Sequence, residues 1–458
     1  MEGHPKPQNS PGSQNPQKTS RPHEHRLLLA ILFVALAFRI GGAVGLEWML
    51  GGRFLFGDSE SYWTLARAIA FGEPYRYGNA QVFRTPGYPL ALAPLFWIYA
   101  GDPPHLLARL QAAFFGVLAV WGVWKIAREV FGSKAALISA GIAAVYPGAG
   151  ALSILILSEA LFCPVMVFHL YFAIAAWKAA SPPKSALLSL IAGIFAGLGA
   201  LTRPSWILFP LFIGLVGIVV YRGRLRQLTL LIFTIGGMIL VLSPWWIRNY
   251  CVTGRFVATS LQTGASLYDG LNPQATGASN MEVVDRRSAE IAAQLQLGDT
   301  FGQELNARNS TRRLAEAEVL LNDRLITEAV QWALEHPVSA LRLAVIKFQR
   351  MWSLRPNMPE LARSPIGIVW GVIFLPILLA GLWGTVKFSR LGWPILALWL
   401  PAVYFTLIHM IFVSSIRYRE PAMLPWLVLI GGTLSEVLRG CQRARTPVNM
   451  EAPCEVKD

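Results

Sequence analysis

Charge is scarce in this chain: Asp, Glu, Lys and Arg make up 14% of its 458 residues, against a hydrophobic share of 54%. No soluble domain could cover that much apolar surface, so the composition is that of a polytopic membrane protein. Cysteine is scarce as well. Cys163, Cys251, Cys441 and Cys454 show no metal-ligand spacing and fall in different predicted compartments, which supports neither a disulfide framework nor a zinc site. There is no Gly-rich phosphate loop of the Walker type, no HExxH and no nucleophile elbow, so nothing supports a soluble nucleotide as energy source. An internal repeat, the best sequence sign of a transporter built from inverted halves, is missing too. The net charge of +14 does not indicate nucleic acid, because few Lys and Arg residues cluster in a soluble segment. Most flank apolar runs, where they set orientation.

What the chain has instead is long apolar runs. Residues 27–50 are apolar apart from Arg39 and Glu47, and they exceed the ~20 residues needed to cross the hydrocarbon. Further runs that can span lie at about 105–127, 135–152, 157–177, 186–202, 205–221, 227–247, 366–386, 391–413 and 421–438. This predicts an all-α integral membrane bundle of about ten transmembrane helices. With the N-terminus inside, alternate connectors at 125–134, 178–184, 222–226 and 387–390 and the tail from 439 are basic and cytoplasmic. The transmembrane regions are then 26–247 and 365–438, flanked by cytoplasmic tails at 1–25 and 439–458; the first is too polar to fold alone and is expected to be disordered.

The other face carries the first outer loop, 51–104, and a long segment, 248–364. Prolines at 86, 89 and 94 keep the end of the first loop from spanning, so it is expected to lie in the interface. The same holds for a short helix in which Tyr62, Leu65, Ala66 and Ile69 recur at helical spacing. The long segment reads as polar helix from about 282 to 334. It closes with a membrane-hugging helix, started by Pro337 and striped by Leu341, Val345, Phe348 and Trp352. Lys347 is the only lysine among the outer loop residues, whereas arginine is plentiful there. Arginine's planar fork binds phosphate bidentately; lysine acts as a point charge.

Asp58 and Glu60, in GDSESYW, stand at the mouth of the bilayer. Local sequence leaves two compatible roles for Asp58: a cap for the helix that follows, with Glu60 answering its dipole, or a base facing the membrane surface. Glu159, in ILSEALF, sits at the outer end of a span, either as a helix-start carboxylate capped by Ser158 or as a second acid opposite the first. Arg203 in LTRPSW, Arg248 in WWIRNY, and Arg417 and Arg419 in SSIRYREPA end spans on the same face, and each taken singly is explained by snorkelling. Their shared side is more informative. Acids ringed by arginines suit a phosphorylated lipid donor, the arginines holding phosphate while an acid takes a proton from an incoming nucleophile. His169 and His409 lie inside spans, hydrogen-bonded between helices or acting in a proton relay.

Taken in order, the acid after the first span, the helix over 62–72, RTPGYPLALA, ILSEALF, LTRPSW, SPWWIRNY, EHPVSALRLAVIKFQRMW and RYREPAMLP resemble the bacterial relatives of protein mannosyltransferases and aminoarabinose transferases, over about residues 27–440. Members of that family are multi-span GT-C glycosyltransferases, which move a sugar from a polyprenyl-phosphate carrier on the outer face of the membrane. The resemblance implies a GT-C bundle, with Asp58 as the first-loop catalytic acid and Glu159 as the second. It draws the donor-phosphate contacts from Arg84, Arg203, Arg248, Arg417 and Arg419, with Glu60 and Tyr88 completing the substrate-binding set. Many members carry adjacent acids after the first span where this chain has Asp58-Ser59-Glu60, and RTPGYP replaces the Lys-Pro-Pro type of sequence in aminoarabinose transferases. Sugar and acceptor do not carry over.

The expectation is therefore a multi-pass transferase of the inner membrane, working on the extracytoplasmic face without a cofactor. Its partners would be a polyprenyl-phosphate sugar donor, an acceptor that is protein, lipid or glycan, and membrane lipid. No metal is assigned: Asp58 and Glu159 could converge on a divalent ion, but two oxygens do not make a site. The competing reading is a lipid-linked sugar flippase, which predicts charge spread through the spans, whereas here most of it lies at one rim. A structural subunit would leave the outer acids replaceable. An extended segment before Pro421 would put Arg417 and Arg419 on one face as a two-arginine phosphate clamp; a helical one would separate them.

Overall fold

The computed structural model describes residues 21–221, 223–296 and 307–445. The rest of both expected tails, with Cys454, lies outside the described residues. Where the tails are described they are helical: α1 (Arg21–Leu50) starts inside the stretch expected to be disordered, and the last helix, Glu420–Arg445, runs on past 439. Among the described residues all regular structure is helical, apart from one isolated antiparallel bridge between Tyr77 and Ala80.

The loop after α1 forms α2 (Gly57–Phe71) and α3 (Gly87–Tyr99), and the bundle continues with α4 (His105–Phe131), α5 (Ser133–Val145), α6 (Pro147–Leu152), α7 (Ser158–Lys178), α8 (Pro182–Thr202), α9 (Phe209–Val220) and α10 (Arg224–Thr253). The long segment holds α11 (Thr263–Gly270), α12 (Met281–Gln294), α13 (Ala307–Glu335), α14 (Pro337–Met351) and α15 (Pro359–Arg363), and the chain ends with α16 (Pro365–Lys387), α17 (Trp393–Ile411) and α18 (Glu420–Arg445). Eight of these helices, α1, α4, α7, α8, α10, α16, α17 and α18, are long and apolar enough to cross a membrane.

Two of the ten expected spans are thus shorter than a bilayer requires. Residues 135–152 break between α5 and α6 at Pro147, and the break is sealed by Arg39 of α1. Its guanidinium donates to Ala144 O at 2.7 Å, Ala143 O at 3.3 Å and Ala35 O at 3.1 Å, and its Nε to Ser153 Oγ at 3.0 Å. Helix-end carbonyls in hydrocarbon need donors, and a guanidinium there needs acceptors, so each meets the other's requirement. The run at 205–221 opens with a 3-10 turn, Pro204–Trp206, before α9. Conversely α10 continues through Pro244, so residues 248–253, expected in the outer loop, are still helix. Pro244 cannot donate to the carbonyl of Leu240, and the Ser243 hydroxyl does so instead at 3.1 Å.

Close helix approach comes from small residues. Gly193 of α8 faces Gly237 of α10, where a Cβ built on either would lie 3.0–3.1 Å from the other's Cα. The basic connectors gather at one end of the bundle. Glu24 pairs with Arg128 at 3.4 Å, Lys178 with Glu129 at 3.0 Å and Lys387 with Glu436 at 2.8 Å, while Arg226 donates to Trp177 O at 2.6 Å and Ala179 O at 2.8 Å. At the other end α2 and α3 pack Tyr62, Trp63, Ala66, Tyr88, Leu92 and Phe96 onto Ala108 and Ala112 of α4, Ile156 of the loop before α7 and Ala160 in the first turn of α7. Pro337 opens α14, as read. That helix buries Leu343, Lys347 and Met351 and leaves Leu341, Val345 and Phe348 exposed.

Candidate active site

Asp58 lies in the first turn of α2, where Phe56 holds the cap position and no side chain caps the helix. Its carboxylate turns instead to two arginines. Arg84 Nη2 donates to Oδ1 at 2.6 Å, and Arg417 Nη1 and Nη2 reach Oδ2 at 3.4 and 3.3 Å. Arg84 is itself held on several sides. Its Nε donates to Ser61 Oγ at 3.2 Å and its Nη1 to Gln262 Oε1 at 2.7 Å, and the guanidinium lies 5.1 Å over the Tyr62 ring and 4.8 Å over Phe83. With Nε and Nη1 engaged by Ser61 and Gln262 and the plane held between two rings, the rigid fork aims Nη2 at a defined spot, the Asp58 carboxylate.

Glu159, in the first turn of α7, is fully buried. Its Oε1 accepts from Arg203 Nη1 at 2.5 Å and from Arg417 Nε, and Ser158 Oγ approaches Oε2 at 3.3 Å without capping the helix. Arg417 therefore bridges the two acids. Burial works against its charge, but Glu159, Tyr418 and Asp58 outweigh that and hold the guanidinium above its ordinary value. The Tyr418 ring lies 5.3 Å from the Arg203 guanidinium and 5.7 Å from that of Arg417, and on its face His409 stacks at 4.1 Å.

The short strap that carries Arg417 is pinned from α14 and the long segment. Ser414 N donates to Gly277 O at 3.0 Å, Ile416 N to Asn357 Oδ1 at 2.7 Å, and Lys347 Nζ to Ile411 O at 2.6 Å and Gly270 O at 2.8 Å. Burial pushes the Lys347 ammonium down to about 8, with Asp269 opposing. Among the described residues no three His, Cys, Asp or Glu side chains come together as a metal-binding group.

Comparison with known proteins bears on this arrangement. A family model described as dolichyl-phosphate-mannose-protein mannosyltransferase matches residues 85–247. Among curated proteins none matches. Among solved structures, the oligosaccharyltransferase of Archaeoglobus fulgidus, tethered to an acceptor peptide containing the NVT sequon, superposes with a TM-score of 0.55 at 17% identity, over 94% of this chain and 52% of that one. The oligosaccharyltransferase AglB from Archaeoglobus fulgidus, in complex with an inhibitory peptide and a dolichol-phosphate, gives a TM-score of 0.56 at 15% identity, over 95% and 53% of the two chains. ArnT of Cupriavidus metallidurans bound to undecaprenyl phosphate is less similar, with a TM-score of 0.42 at 16% identity, over 95% and 81%. The chain spans about half the length of the archaeal enzyme it matches. Its fold is the GT-C membrane fold.

In this GT-C bundle, not every arginine of the expected substrate set reaches the acids. Arg419 turns away: Nη1 donates to Met351 O at 2.8 Å and Ser353 O at 2.6 Å, Nε pairs with Glu420 at 3.3 Å, and the guanidinium lies 3.6 Å from the centre of the Phe374 ring. The reason is local backbone. Residues Ile416–Tyr418 form a 3-10 turn and Arg419 is right-handed helical, so the extended geometry needed for a two-arginine clamp is absent. Arg248 stays on α10, donating to Tyr75 O at 3.0 Å and Asn249 Oδ1 at 3.2 Å and flanked by the Tyr75 and Trp245 rings. Glu60 is exposed on α2. Tyr88 is buried with its hydroxyl unpartnered and its ring edge-on to Tyr62 at 5.1 Å. Of the two histidines, His169 bonds Ala192 O of the neighbouring helix at 2.8 Å, and His409 bonds Val413 O at 2.9 Å beyond its own helix.

Three residues in and beside this cluster of acids and arginines were not singled out in the sequence. Gln262 and Tyr418 are neutral and carry no local signal. Arg109 does carry one, a charge inside an apolar run. It is buried, paired with Glu47 at 2.8 Å, and donates to Arg53 O at 3.2 Å and Ile154 O at 3.3 Å, tying the end of α1 to the loop that leads into Glu159.

Proposed function

We propose that this protein is a membrane glycosyltransferase that moves a single sugar from a polyprenyl-phosphate donor to an acceptor outside the cytoplasm. The observation that carries the reading is the meeting of Asp58 and Glu159 with Arg84, Arg203 and Arg417 at one rim of a GT-C bundle. The dolichol-phosphate bound by the archaeal relative supports a lipid-linked donor. The opposite end, where Arg128, Lys178, Arg226 and Lys387 gather, fits the cytoplasmic side, so the acids face outward from an inner membrane.

In the proposed reaction the acceptor oxygen attacks the anomeric carbon while the bond from that carbon to the phosphate oxygen breaks, its electron pair leaving on the phosphate. The acceptor proton passes to Asp58. One displacement inverts the anomeric carbon. Arg417 is the longer of the two contacts on Asp58, so an arriving phosphate draws it off Oδ2 and frees that oxygen as base, and Arg203 stabilises the leaving group beside it. Glu159 keeps two guanidiniums at one point in the absence of phosphate. No cofactor enters this scheme.

The test is the full chain reconstituted in liposomes with radiolabelled polyprenyl-phosphate hexoses or pentoses and an envelope extract as acceptor. Label should pass to acceptor with release of polyprenyl phosphate, and Asp58→Asn should abolish it. Labelled lipid that crosses the bilayer with its sugar still attached would overturn the reading in favour of a flippase.

A further inference from the structure

The helix α13 of the long outer segment touches the site through one carboxylate. Glu318 Oε2 accepts from Gln81 N at 2.6 Å and from Val82 N at 3.1 Å, and Oε1 from Val82 N at 3.2 Å. Gln81 and Val82 are buried, so their amides need an acceptor. Among the described residues Glu318 forms no ion pair: Arg248, the cation that acts on it, directs its donors to Tyr75 O and Asn249. The Glu318 carboxylate therefore serves the two amides.

Those amides lie at the root of a small turn. Tyr77 and Ala80 exchange backbone hydrogen bonds across Gly78, whose φ of +57° is left-handed, and Tyr77 stacks on Phe83 at 5.3 Å. Leu261 N donates to Val82 O at 2.9 Å from the other side, and Gln262 holds the guanidinium of Arg84. Arg84, two residues past Val82, then meets Asp58. We propose that Glu318 is a positioning residue for Arg84: it seats the 81–84 segment so that the guanidinium lands on Asp58 and on the donor phosphate. This rests on the function proposed above.

A near-isosteric change separates positioning from packing. Gln at 318 keeps one acceptor oxygen but sets an NH2 group against the Val82 amide, two donors face to face. Kinetics of Glu318→Gln, Arg84→Ala and the double variant, each as full chain in liposomes, form the cycle. Glu318→Gln should lower kcat by about 10²-fold with little change in acceptor KM, the scale of a misplaced catalytic contact. In the Arg84→Ala background it should do nothing further, and Glu318→Asp should restore part of the loss. Multiplying effects in the double variant would overturn the proposal, since a fault in folding adds to the loss of Arg84. Hydrogen exchange at Gln81 and Val82 should accelerate in Glu318→Gln, and unchanged exchange would equally overturn it. If the wild type transfers no sugar, only the proposed function fails. The same four-variant cycle, read as affinity for a polyprenyl monophosphate, then decides the role of Glu318.

Discussion

Arg417 and Arg419 stand two residues apart and point opposite ways: Arg417 bridges Glu159 and Asp58, whereas Arg419 is buried against Glu420 and the carbonyls of Met351 and Ser353. The 3-10 turn between them produces the divergence. In the proposed reaction the first exchanges Asp58 for the donor phosphate, whereas the other is locked in the core.

Lysine substitution should separate the two. Arg417→Lys keeps charge but loses the fork that reaches two acids, so donor affinity should fall while the unfolding temperature changes little. Arg419→Lys should do the reverse, because Nη1 serves Met351 O and Ser353 O while Nε, at a separate point of the fork, meets Glu420, and a compact ammonium loses that spread together with the flat face on Phe374. Donor titration and thermal unfolding in detergent check both. Equal donor affinity in wild type and Arg417→Lys would remove the strap from the phosphate site.

The two acids should differ in the same way. Asp58 is about a third exposed, with a side-chain accessibility of 36%, and Arg84 keeps Ser61 and Gln262 without it. Asp58→Asn should lose about 10²- to 10⁴-fold in transfer, the contribution of a positioned base, with folding retained. Glu159 is fully buried between Arg203 and Arg417. Glu159→Gln leaves Arg203 without its carboxylate and Arg417 with Asp58 alone, and should cost about 3–5 kcal/mol of stability, seen as a lowered unfolding temperature.

Acidity gives a further check on the α13 contact. Burial pushes the Glu318 carboxyl up to about 7, against the pull of the Gln81 and Val82 amides and of Arg248. The unfolded chain has the ordinary value of 4.5. A folded state with the higher value binds the proton more tightly, so the cost of the buried charge is absent below pH 4.5 and complete above pH 7. Raising pH across that window should lower the unfolding temperature of the wild type relative to Glu318→Gln, which cannot titrate. Parallel curves would mean that the carboxyl sits in water.

Sidedness is open to cysteine labelling in a chain whose native cysteines are replaced. Arg312→Cys, on the exposed face of α13 with a side-chain accessibility of 78%, should react with an impermeant reagent in intact cells. Lys184→Cys, beside the basic connector at the other end, should react only after permeabilisation. The reverse pattern would put the acids in the cytoplasm.

Hydropathy and the order of charges suffice for the membrane bundle, the alternation of basic connectors and the gathering of acids and arginines at one rim. These are properties of depth: apolar length tells where a residue stands along the membrane normal, and lysine placement tells which side is which. They say nothing of direction around the bundle. Arg203, Arg248, Arg417 and Arg419 share one local signature, a span-ending arginine on the same face, yet Arg203 and Arg417 meet Glu159 while Arg248 meets Tyr75 and Arg419 the core. The break at Pro147 depends likewise on Arg39 from another helix, and the seat of Arg84 on Gln262 and Glu318 from the long segment. Each of these is a contact between residues far apart in the chain. Packing of whole helices creates it, and no periodicity within a single segment encodes it.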